Sequence, residues 1–217
     1  MPIDRSGVPF VAAAAIPAVA LVALDFLWWA LPFVIVSGFF LFFFRDPPRH
    51  PPPARGLVLA PADGRVLVAG EVVSGDPPEG RWWQVSIFLS PIDVHINRVP
   101  IGGVVTHIHR RSGKWFAAYS SEASSSNERT EVAFQHNDVV IVCRQIVGIL
   151  ARRIVCRVSV GHEVQAGDRF GIMKFGSRID LFIPRTATIA VIPGQRVRGG
   201  ESVVAHLPGD EKPEGGL

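Results

Sequence analysis

Charge is nearly missing from the first part of this chain. Between residues 8 and 44 the only ionisable side chain is Asp25. Apolar runs of about 17 and about 19 residues flank it, and each spans roughly 25–29 Å as a helix, close to the ~30 Å hydrocarbon core of a bilayer. No small-residue cleavage site follows, and the stretch is too long for the apolar core of a signal peptide. Residues 1–44 therefore read as a membrane anchor, crossing once as one helix or twice as a helical hairpin. A buried hydrophobic hairpin in a soluble fold is the bland alternative. Trp28 and Trp29 beside Asp25 suit a turn at headgroup level.

Lysine is scarce as well. Only Lys114, Lys174 and Lys212 stand among 22 basic residues. With no lysine-rich block and no aromatic RNA-binding motif, nucleic acid is excluded as a partner. The net charge of +3 suits an anionic lipid surface. Arg45, Arg49 and Arg55 follow the second apolar run, against Arg5 alone before the first, which places the remainder of the chain on the cytoplasmic side. Cysteine is limited to Cys143 and Cys156, without metal-ligand spacing, so both read as reduced core thiols. Neither a metal nor a repeat of 20–50 residues is indicated.

What the chain has in quantity is proline and short β-prone runs. Residues 45–56, with Pro47, Pro48, Pro51, Pro52 and Pro53, cannot continue a helix and read as an extended linker. Beyond it, Val-, Ile- and Phe-rich runs at 57–59, 66–73, 82–89, 103–109, 139–145, 153–160, 179–183 and 187–192 alternate with Gly, Pro, Asp and Asn. This spacing predicts a mainly β, antiparallel sandwich or barrel-sandwich-like domain over 57–207, behind an N-terminal helical anchor. Residues 114–129 read as an ordered loop or short helix, and the tail at 208–217 as disordered. The segment 161–205 also looks like half of a biotinyl-type barrel-sandwich, with a tight turn carrying a Gly-Ser bond.

Three motifs carry chemistry. They are Phe175-Gly176-Ser177-Arg178 between two β-prone runs, Ser90-Pro91-Ile92-Asp93-Val94-His95, and Pro61-Ala62-Asp63-Gly64. Each alone is weak, since Gly-Ser and Asp-Gly pairs are common turns. In this order they resemble the self-processing site of the phosphatidylserine decarboxylases, and most closely the short form with Phe-Gly-Ser-Arg. The resemblance covers roughly residues 45–205.

The resemblance implies that the Ser177 hydroxyl attacks the Gly176 carbonyl carbon and turns the amide into an ester. Elimination and hydrolysis then lose ammonia and leave a pyruvoyl group on a new N-terminus. The chain divides into a β chain, 1–176, and an α chain, 177–217. That heterodimer has scope for a higher oligomer, and neither pyridoxal phosphate nor metal is needed. The ketone forms a Schiff base with phosphatidylserine and drains electrons as carbon dioxide leaves, giving phosphatidylethanolamine. Glycine suits position 176 because it lacks Cβ, which frees its dihedrals and leaves its carbonyl open to attack. A serine hydroxyl also needs a base and oxyanion donors.

By the same resemblance, His95 manages protons at the site, as its pKa near neutrality permits. Asp63 matches the aspartate that helps activate the serine, with a hairpin turn as the ordinary reading. Asp93 either caps the Ser-Pro turn or joins the catalysis. Where longer family members carry a second histidine, this chain has Arg98, which cannot act as a base. That leaves Asp63 with another group, or His95 alone, to activate Ser177, and leaves Arg98 open to binding phosphate or carboxylate. Asn127-Glu128-Arg129 resembles a family element that orders the loop beside the site. Two readings compete: a non-catalytic membrane adaptor, and a decarboxylase of another amine-bearing carboxylate.

Overall fold

The computed structural model describes residues 2–54, 56–73, 76–120, 122–149, 153–174 and 176–208. Arg55 of the orientation motif, Phe175 of the Gly-Ser motif and nearly all of the tail expected at 208–217 lie outside them. The chain separates into two compact units, Met1–Pro48 and Arg49–Leu217.

The first unit is a helical hairpin of α1 (Val8–Ala23) and α2 (Leu27–Phe43). A 3-10 turn, Arg5–Gly7, leads into α1 and is capped by the Asp4 side chain on the Ser6 amide at 2.8 Å. Asp25 makes the reversal in the left-handed region, φ 62°, which aspartate tolerates better than most residues. The hairpin ends are tied by the Asp4 and Asp46 amides donating to the Phe44 and Pro2 carbonyls. Phe10 packs on the rings of Phe40 and Phe44 at 5.5 and 5.3 Å. Outward, Ile16, Val19, Trp28, Trp29 and Ile35 are exposed, so the hairpin presents an apolar surface rather than a polar one. One helical stretch, Arg5–Ala23, is long and apolar enough to cross a membrane; Leu27–Phe43 is shorter.

The second unit is antiparallel β structure. Its strands are β1 (Leu57–Leu59), β2 (Gly64–Glu71), β3 (Trp82–Leu89), β4 (Ile96–Arg98), β5 (Gly103–Arg111), β6 (Arg129–His136), β7 (Val139–Val147), β8 (Ile154–Cys156), β9 (Glu163–Val164), β10 (Arg169–Met173), β11 (Ser177–Pro184), β12 (Thr188–Ile189), β13 (Arg196–Val197) and β14 (Val203–His206). A short helix α3 (Ala123–Ser126) lies in the loop before β6. The main sheet runs β13-β2-β3-β11-β7-β6-β5-β9, and two three-stranded sheets, β1-β14-β12 and β4-β10-β8, accompany it.

Alternation along β11 explains the packing. Ile179, Leu181 and Ile183 enter the main core with Val85, Ile87, Cys143, Phe134, Phe170 and Val204. Arg178 and Asp180 point to the other face, where they are also buried, and the Arg178 Nε donates to Asp180 at 2.6 Å. Burial pushes the Cys143 thiol well up, as expected of an inert core cysteine.

β6 was not anticipated as a strand. Val132 and Phe134 do alternate inward, but Arg129 and Glu131 break up the apolar signal. Their charges are met on the reverse face, where Glu131 pairs with Arg129 and Arg144 at 3.1 and 3.0 Å. The tight turn expected around the Gly-Ser bond is instead a crossover. β10, ending at Met173, belongs to a small sheet and β11, beginning at Ser177, to the main sheet, so the two consecutive strands are not a hairpin pair.

Candidate active site

Ser177 opens β11 and pairs with the last residue of β3, Leu89, on one side and the last residue of β7, Val147, on the other. At the same end of the sheet β2 begins at Gly64, directly after Asp63, and β6 begins at Arg129, directly after Asn127 and Glu128. Strand register thus gathers at one sheet end motifs that lie far apart in sequence.

Ser177 is fully buried, and its Oγ has no hydrogen-bond partner among the described residues. An orphaned buried hydroxyl costs about 1–3 kcal/mol relative to a satisfied one, so its placement calls for a use. Gly176 takes φ +70°, and nothing lies within 4 Å of where its Cβ would be. Glycine is therefore required here for its left-handed backbone rather than for space.

His95, also fully buried, immediately precedes β4. Its Nε2 accepts the Gly176 amide at 3.2 Å, and its Nδ1 lies 2.9 Å from the Asp93 carbonyl. Since Nε2 accepts, Nδ1 carries the proton and donates to Asp93. The imidazole is thereby held in the tautomer that turns its basic nitrogen toward the Gly176 amide. Asp93 caps the Ser90 turn, accepting from the Ser90 amide at 2.8 Å and hydroxyl at 2.7 Å.

Asp63 stands in different company. Arg49 NH2 donates to both of its carboxylate oxygens, at 3.0 and 2.7 Å, and the Gly199 amide adds a bond at 2.8 Å. Arg49 also reaches Glu201 at 3.4 Å. Burial tends to raise the Glu201 pKa, but the His50 amide and Arg49 outweigh it and the net shift is downward. Among the described residues Asp63 makes no bond to His95 or Ser177. Arg98 is buried too, with NH1 donating to the Gly167 carbonyl at 3.0 Å and its amide to Pro61 at 2.7 Å.

Asn127 staples the neighbouring loop. Its Oδ1 accepts the Phe116 amide at 2.9 Å, and its Nδ2 donates to the carbonyls of Phe116 at 2.9 Å and Val147 at 2.8 Å. Glu128 contributes its backbone, accepting from the Val147 amide and donating to Lys114. His107 and His109 stack at 6.3 Å on β5, three strands from β11 and apart from this site.

Three residues escaped sequence reasoning. A Cβ on Gly148 would collide with the Gly176 carbonyl oxygen, so the backbone at 148 packs directly on that carbonyl. Asn97 and Gln145 are fully buried and joined by a 2.7 Å bond from Gln145 Nε2 to Asn97 Oδ1. That bond leaves Asn97 Nδ2 and Gln145 Oε1 without partners among the described residues. Asn97 lies two residues beyond His95, a spacing that shares one face of a strand and was the available signal. Nothing local marks Gly148 or Gln145.

The phosphatidylserine decarboxylase family profile matches residues 36–205. A protein of Granulibacter bethesdensis is 46% identical over 200 residues, covering 88% of this chain and 80% of its own. One of Pelodictyon phaeoclathratiforme is 42% identical over 194 residues, covering 87% and 91%. One of Mycolicibacterium smegmatis is 40% identical over 210 residues, covering 95% and 90%. All three are named phosphatidylserine decarboxylase proenzyme. Matched by that profile over most of its length and 40–46% identical to such proenzymes over 87–95% of its residues, this chain belongs to the phosphatidylserine decarboxylase family.

Proposed function

We propose that this chain cleaves itself between Gly176 and Ser177 and then converts phosphatidylserine to phosphatidylethanolamine and carbon dioxide at the residue so modified. The observation that carries this reading is the buried Ser177 Oγ, without a partner among the described residues, directly after a glycine whose amide is bonded to an imidazole. The position fits a pyruvoyl group, since that group is made from Ser177 itself and inherits its place at the head of β11. Such a group supplies an electrophilic carbonyl for the substrate amine and an electron sink for decarboxylation.

The chain's own residues do the rest. His95 Nε2 takes the Ser177 proton during self-cleavage and moves protons at the same point during turnover, with the Asp93 carbonyl fixing its tautomer. Asp63 acts by position, joining Arg49 to the Gly199 amide and setting the turn into β2. Among the described residues Asn97 Nδ2 is a donor without a partner, suited to a carboxylate, and Gln145 Oε1 an acceptor without one, suited to an ammonium, the two charges of a seryl headgroup. Arg98 supports the backbone at Gly167, while Asn127 and Glu128 hold the loop against β7.

Both fragments stay together in this reading. β11 lies between β3 and β7, so a cut at its first residue leaves both ladders intact. The buried Ile179, Leu181 and Ile183 contribute about 1.5–3 kcal/mol each. The Arg49–Asp63 pair also contacts Gly199 and Glu201 across the two fragments. We place the helical hairpin in the cell membrane and the β-rich unit on its cytoplasmic side, as the arginines after α2 favour.

Denaturing mass spectrometry of the purified full chain tests the proposal. The expected result is two pieces, 1–176 and 177–217, the second lighter by one ammonia than a serine-starting peptide, with Ser177→Ala remaining one chain. Purified protein must also release carbon dioxide from phosphatidylserine and not from free serine. An intact, inactive wild-type chain after prolonged incubation would favour a non-catalytic adaptor.

A further inference from the structure

The sheet end that holds Ser177 is also the apolar end of the β-rich unit. Among its described residues the unit exposes nine large apolar side chains, and five of them belong to loops leaving this end. Ile92 lies on the turn after β3, Trp115, Phe116 and Tyr119 on the loop before β6, and Ile149 just after β7. Single exposed apolar residues need no explanation, but five ringing one buried bond do.

The loop from Lys114 to Ser120 is built with two faces. Its ends are fixed, with the Lys114 amide and carbonyl bonded to Ser126 and Glu128 and with Phe116 bonded on both sides to Asn127. Its inner face is small: Ala118 is buried, with its Cβ 3.2 Å from where Gly148 would carry one, beside the scissile carbonyl. Its outer face is aromatic. Trp115 is 49% and Tyr119 69% exposed, and Tyr119 meets the rest of the domain edge-on against Phe88 at 6.1 Å. The exposed Lys114 ammonium sits 5.6 Å over the Phe116 ring. The loop also carries one exposed carboxylate, Glu122, at the start of α3.

We infer that this rim is the surface with which the β-rich unit docks on a lipid bilayer, Trp115, Phe116 and Tyr119 entering the headgroup region around the reaction site. The inference rests on the proposed function, because it uses the nature of the substrate. A diacyl phospholipid keeps its chains in the bilayer, so its headgroup meets Ser177 only if this sheet end lies at headgroup depth. Tryptophan and tyrosine, apolar with one polar atom, favour that depth, and Lys114 favours an anionic surface. A loop whose inner side touches the scissile carbonyl region and whose outer side touches lipid brings the substrate to the site without lifting it out of the membrane.

The test uses the full-length chain with Trp115→Ser, Phe116→Ser and Tyr119→Ser combined, beside a control with Val73→Ser and Val160→Ser at the opposite end of the sheet. Carbon dioxide release is measured on phosphatidylserine in phosphatidylcholine vesicles and on monomeric dihexanoyl-phosphatidylserine. The rim variant should self-cleave normally, lose about tenfold or more in kcat/KM on vesicles, and stay within about twofold on the short-chain lipid. The control should match wild type on both. Equal losses on both substrates would make the rim part of the reaction pocket and overturn the inference, as would no loss on vesicles. A concentration-dependent dimer that the rim variant abolishes, with vesicle activity unchanged, would assign the surface to a second copy instead. Failure of wild type to self-cleave would strike the proposed function and leave a different signature, since neither lipid would then be turned over.

Discussion

His95 and Asp63 lie at the same end of the main sheet and in opposite surroundings. His95 is buried with its basic nitrogen turned to the Gly176 amide, one residue before Ser177. Asp63 is only partly buried, and both of its oxygens are engaged by Arg49, one of them also by Gly199. A group that moves protons needs its basic nitrogen turned toward the reacting segment. A group that fastens two parts of a chain needs its bonding capacity satisfied. The same sequence motif class, an acidic or basic residue in a turn beside a strand, has been put to these two uses.

The comparison breaks most sharply at the imidazole. His95→Gln removes the base while roughly keeping the size of the side chain, and should lower carbon dioxide release by about 10²–10⁴-fold and slow self-cleavage as well. Turnover and fragment formation at wild-type rates would remove His95 from the chemistry. Next comes the Gly176 carbonyl. Gly148→Ala forces a Cβ into the Gly176 oxygen, an overpacking cost of about 1–3 kcal/mol, so the precursor half-life should lengthen by about tenfold. A wild-type half-life on a time-resolved gel would mean that the carbonyl moves aside freely.

On the other side of the comparison, Asp63→Asn and Arg49→Met should behave alike. Each should lower the unfolding free energy by about 1–3 kcal/mol, below the 3–5 typical of a fully buried pair because Asp63 retains solvent contact. The folded fraction should still self-cleave. A processing block in Asp63→Asn with unchanged denaturant midpoint would move Asp63 from fastening to chemistry.

The smallest effect belongs to Asp76. The Arg129 guanidinium bonded to it holds its carboxyl below the ordinary value of 3.8, and Arg144 and Arg111 add to the effect. A depressed folded-state pKa gives stability that is complete above that ordinary value and lost as pH falls through the depressed one. Asp76→Asn should therefore lower the urea midpoint slightly at pH 7, by a fraction of a kcal/mol given its exposure, and the gap to wild type should close as pH falls below the ordinary 3.8 and through the depressed folded-state value. A gap constant with pH would rule out the carboxylate charge as its source.

Much of this was legible beforehand because it is local. The apolar lengths before residue 44 and the alternating runs at 82–89 and 179–183 gave helices and strands where those elements stand. The edges of the reading failed where a strand's charges find partners only in three dimensions. β6 was dissolved by Arg129 and Glu131, and the last expected run, 187–192, kept only Thr188–Ile189 as strand. The Gly-Ser bond was located but its setting was not, since nothing in residues 169–184 says that two consecutive strands join different sheets.

By itself the sequence determined most of the elements and the family, and singled out Gly176-Ser177 as the bond to propose for cleavage, because hydropathy period, turn chemistry and motif identity are properties of neighbours. Only the tertiary structure decided what those residues face. His95 meets Gly176 across 81 positions and Arg49 meets Glu201 across 152. Such contacts follow from strand register and sheet order, which fix distances between residues that no local pattern connects.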